Sequence, residues 1–71
     1  MQGPNAPATA VEHIIRAFGG TTVNICESEE WLVKFENKHD AMRTRDLITM
    51  LRGWSAQACV STKNAIQIFN D

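Results

Sequence analysis

A shift of about 33 residues lays this chain over itself, and that feature limits what it can fold into more than any other. Ile14-Ile15 falls on Leu47-Ile48, Phe18 on Leu51, Gly20 on Gly53, Cys26 on Cys59, Ser28 on Ser61 and Asn37 on Asn70. Val23 and Ile25 fall on Ala56 and Ala58, and Val33 and Phe35 on Ile66 and Ile68. Each half then reads as one helix followed by two strands, in units of residues 9–37 and 38–71, behind a polar leader at residues 1–8 that is expected to be flexible. Two copies are too few for a stacked helical array, and the strands do not suit one. The units must instead cover each other.

Local signals place the elements. Thr9 with Glu12 three residues on is a capping box, and Val11, Ile14, Ile15 and Phe18 follow at helical spacing up to Gly19-Gly20, which supplies a left-handed stop. Alternation from Thr21 to Cys26 and from Trp31 to Phe35, across the polar Glu27-Ser28-Glu29, predicts a β-hairpin. Asn37 with Asp40 caps a second helix whose apolar stripe is Ala41, Thr44, Leu47, Ile48 and Leu51, ending at Gly53. Trp54 to Val60 and Ala65 to Phe69, joined by Ser61-Thr62-Lys63-Asn64, form a second hairpin.

The order αββαββ belongs to the α+β class. Short connections and right-handed crossovers give a four-stranded antiparallel sheet in spatial order one, two, four, three, with both helices on one face. This is the arrangement of the ferredoxin-like fold with its first strand moved to the C-terminus; exchange of αββ units between two chains, a domain swap, predicts the same contacts. A period of two aims Val23, Ile25, Trp31, Val33, Phe35, Ala56, Ala58, Ile66 and Ile68 at the helices. Asn24, Cys26, Leu32, Lys34, Gln57, Cys59, Gln67 and Phe69 are left on the open face.

Little in the chain suits catalysis. The cysteines fall on the two edge strands, three spacings or about 14 Å apart, whereas a disulfide needs Cα atoms within about 7 Å. His13 and His39 fall on exposed helix surface, away from the sheet face that carries the thiols, and no CxxC or HxxxC spacing offers a metal site. No glycine-rich loop follows a strand, and Glu27, Glu29 and Glu30 lack the spacing of a calcium loop. The expectation is a protein that is not an enzyme, with no catalytic residue, cofactor or metal. Met1 to Ala10 has neither a basic nor an apolar signal region, and no apolar run approaches the roughly 20 residues that cross a bilayer, so a cytoplasmic chain without a membrane partner is expected.

Seven Lys+Arg against eight Asp+Glu give a net charge of −1, which removes the electrostatic drive behind most nucleic-acid binding. One stretch nevertheless resembles a nucleic-acid binder. Trp31 to Leu51, with Val33, Phe35 and then Asp40-Ala41-Met42-Arg43, looks like the third strand and second helix of an RNA-recognition motif. The resemblance implies a weak RNA or single-stranded DNA binder using Arg43, Arg45 and Phe69. At the strand positions where that family carries base-stacking aromatics, this chain has Glu30 and Leu32. Lys38, Arg43, Arg45 and Arg52 make helix two basic, with Asp40 and Asp46 interleaved.

The favoured expectation is a small protein-interaction module. Its working surface is the open sheet face around Leu32, Lys34, Gln67 and Phe69, or an edge strand, and its partner is another protein, such as a larger enzyme that it inhibits, or a second copy of itself. A self-associating structural protein is a further alternative, and a thiol-dependent activity of Cys26 or Cys59 a third.

Overall fold

The first helix begins at a proline rather than at the threonine the sequence offers. α1 spans Ala8–Ala17, its N-cap is Pro7 with φ −74°, and no side chain caps it. The Pro7 carbonyl accepts from the Ala10 N–H at 3.0 Å. The expected Thr9–Glu12 capping box is therefore corrected: Thr9 lies inside the first turn, where a helical backbone cannot act as an N-cap. Ala8, assigned above to the leader, is already helical. Pro7 wins because the chain before it is anchored: the Ala6 N–H donates to the Arg52 carbonyl at 2.9 Å, and the Trp54 indole Nε1–H donates to the Ala6 carbonyl at 2.7 Å.

The helix stops as its glycines dictate. Gly19 has φ +75°, the Gly20 N–H donates to the Ile15 carbonyl at 2.8 Å and the Gly19 N–H to the Arg16 carbonyl at 3.1 Å, which is the Schellman pair. Gly20 is needed for a second reason. A Cβ there would come within 2.6 Å of the Phe35 ring and 2.9 Å of the Ile15 side chain.

This computed structural model describes residues 5–25, 30–60 and 62–70. Cys26, the turn Glu27-Ser28-Glu29 and Ser61, singled out above, lie outside the described residues. β1 (Thr21–Ile25) and β2 (Trp31–Lys34) pair antiparallel, α2 spans Lys38–Thr49, and β3 (Trp54–Ala58) and β4 (Ala65–Asn70) pair antiparallel. With β2 also antiparallel to β4, the sheet order is β1-β2-β4-β3. The second strands of both hairpins are central, and β1 and β3 are the edges.

α2 starts as expected. The Asn37 side-chain oxygen accepts from the Asp40 N–H at 2.8 Å, while its Nδ2–H donates back to the Asp40 carboxylate at 3.1 Å. Asn64, with φ 59°, turns the chain into β4; its carbonyl accepts from the Phe35 N–H at 2.8 Å, and its amide donates to the Glu36 carbonyl at 3.2 Å. The second hairpin is thereby tied to the link between β2 and α2.

Val11 and Ile15 from α1 and Ala41 and Ile48 from α2 share one buried cluster with Val33, Phe35, Ile66, Ile68 and Trp54. Both helices thus cover the same sheet face. Trp31 and Trp54 close one end of this core in an edge-to-face pair with ring centroids 5.5 Å apart.

Three expected core positions are corrected. Val23 is 50% exposed, because the β1–β2 register shifts between Thr22 and Asn24 and leaves it as the extra residue of a bulge. Ala58 is exposed at the end of edge strand β3. Leu47 is 40% exposed, since α2 buries Ala41, Thr44 and Ile48 and Leu47 lies beyond that stripe.

Candidate interaction surface

The open face follows from strand register. Val33, Ile66 and Ile68 are fully buried under the helices, so their sequence neighbours point the other way. Leu32 on β2 stands opposite Gln67 on β4, and Gln67 stands opposite Gln57 on β3. The Gln57 side-chain Nε2–H donates to the Gln67 side-chain Oε1 at 3.2 Å. Lys34 lies opposite Ala65, and Phe69 opposite Ser55.

The residues expected to bind a partner are thereby gathered on one surface. Leu32 and Gln67 are direct cross-strand neighbours at its centre, with exposed Lys34 toward one end and half-buried Phe69 toward the other. Leu32 and Phe69, on the two central strands, are diagonal neighbours, a spacing within reach of an aromatic side chain. Among the described residues, neither helix lies on this face.

The nucleic-acid set does not converge. Arg43 and Arg45 stand on α2, which packs against the face opposite Phe69. Arg45 is engaged locally, donating from Nε and Nη2 to the Asp46 carboxylate at 3.1 and 2.9 Å. His13 and His39 are both exposed on helices. Cys59 is half-buried just beyond β3. Among the described residues no three His, Cys, Asp or Glu side chains gather as metal ligands, and no helix is long and apolar enough to cross a membrane.

A cleft of about 440 Å³ opens that the sequence reading did not anticipate. It lies between α1 and edge strand β1, lined by Glu12, Ile15, Arg16, Thr21, Thr22 and Trp31. No pattern within one strand signals it. Thr22 stands opposite buried Val33 and so occupies a core-side position with a hydroxyl.

Comparison with known proteins adds nothing to this geometry, since no protein-family model, no curated protein and no solved structure matches the chain.

Proposed function

We propose that this chain is a small non-enzymatic protein-interaction module that works through its open sheet face or an edge strand, as a binding domain or as an inhibitor seated on a larger enzyme. The observation that carries this reading is the position of Leu32 and Phe69. They are half-buried apolar diagonal neighbours, Leu32 at the centre and Phe69 toward one end of a mostly polar face that, among the described residues, neither helix covers. Apolar Leu32 and Phe69 beside polar Lys34, Gln67 and Gln57 give the mixture of apolar contact and polar surround that interfaces use. We read the fold as a permuted ferredoxin-like arrangement of two αββ repeats; the strand order supports this.

The test is site-specific photo-cross-linking in the cells that make the protein, from positions 32 and 69 on the open face and from positions 13 and 43 on the helices. Protein adducts from the open face, absent from the helix positions, are expected. Adducts formed only from the helix positions would overturn the reading. Sedimentation with a short single-stranded RNA pool covers the nucleic-acid alternative, which requires a complex that weakens steeply with salt.

A further inference from the structure

We infer that β3 is a self-pairing edge through which two copies of this chain join their sheets into one. The inference rests on the interaction reading above and names both the edge and its occupant.

The two edges of the sheet differ. β1 is interrupted by the bulge at Val23, a device that disturbs pairing at an exposed edge. β3 has no such interruption: its register with β4 runs unbroken from Trp54↔Asn70 to Ala58↔Ile66. Its residues Trp-Ser-Ala-Gln-Ala include no charge and no proline, so apart from its shortness β3 lacks the features that keep edges from pairing.

The hydrogen bonds show which groups the edge offers. The Cys59 N–H donates to the Ala65 carbonyl at 2.9 Å, so residue 59 directs its backbone at β4. In an antiparallel pair, residues that bond to the neighbour alternate with residues that point away. Gln57 and Ser55 therefore bond inward, and Ala56 and Ala58 turn their N–H and C=O groups to the free edge. Trp54 also turns outward, but its N–H is already used on the Leu51 carbonyl at 3.3 Å. Only its carbonyl remains for a partner.

That set is self-complementary. A two-fold axis at Ala56 sets its N–H and C=O against those of the partner's Ala56, and the Ala58 N–H against the carbonyl of the partner's Trp54, with the reciprocal bond on the other side. A second copy also meets no like charge along the strand. Pairing along the β3 edge extends the sheet sideways and leaves its open face, with Leu32 and Phe69, uncovered.

Sedimentation equilibrium of the full chain over a wide concentration range tests this, together with amide exchange at Ala56 and Ala58. The expected result is a monomer–dimer equilibrium in which both amides slow as concentration rises. Ala58→Lys, at an exposed edge position, should weaken the dimer by about tenfold or more while circular dichroism stays unchanged. Leu32→Glu, on the open face, should leave it intact. A monomer at all concentrations with fast exchange at Ala56 and Ala58 overturns the inference and leaves the open-face reading to its own cross-linking test. A dimer that survives Ala58→Lys but is lost in Leu32→Glu also overturns it, and moves self-association to the open face.

Discussion

Thr44→Val should make this protein more stable. Thr44 lies on the inner stripe of α2 between Ala41 and Ile48, its exposure is 0%, and its Oγ1 has no hydrogen-bond partner among the described residues. In the unfolded chain that hydroxyl is hydrated, so folding strips its water without replacement. A buried polar group left in this state costs about 1–3 kcal/mol. Valine has nearly the same shape, a similar helix propensity and no hydroxyl, so the substitution removes the cost and adds one buried methyl, worth about 0.8 kcal/mol by area. The expected gain is about 2–4 kcal/mol, and each kcal/mol raises Tm by about 4–8 °C in a domain of this size. Thermal melts and urea titrations followed by circular dichroism measure it. Thr44→Ser, which keeps the hydroxyl and deletes the methyl, should lose about 1 kcal/mol and calibrates the packing contribution. A Thr44→Val protein that is no more stable than the parent refutes the reasoning: the hydroxyl would then have a partner in solution, such as a buried water or the carbonyl one turn back.

Three further substitutions probe the contacts that hold the elements together. Asn37→Ala removes the oxygen that accepts from the Asp40 N–H at 2.8 Å, and should cost about 0.5–2 kcal/mol of stability, read as a lower urea midpoint. Trp54→Phe deletes the 2.7 Å bond to the Ala6 carbonyl; a loss of about 1–3 kcal/mol is expected, with faster exchange of the Ala6 amide, and unchanged exchange there would show that Ala6 is held without the indole. Gly20→Ala drives a methyl into Phe35 and Ile15 and should destabilise by about 1–3 kcal/mol, whereas an unchanged midpoint would mean the ring yields freely.

Much of the architecture was legible in the chain because its causes are local. The buried stripes Val11–Ile15 and Ala41–Thr44–Ile48 repeat at helical spacing, the Asn37 cap spans three residues, and Gly19 sits where a left-handed residue must. Alternation along β2 and β4 likewise separated buried Val33, Ile66 and Ile68 from Leu32, Gln67 and Phe69, so the residues of the candidate face were named before their register was known. What stayed hidden depends on residues far apart in sequence. The Ala6 clamp that moves the helix start from Thr9 to Pro7 joins segments 48 residues apart. The bulge at Val23 and the cleft beside it arise from the fit of β1 against β2 and α1, which no single strand's pattern encodes. Sequence period alone decides which side of an element is apolar; only packing in three dimensions decides how much of that side, at Leu47, Ala58 and Thr44, finds a partner to bury it.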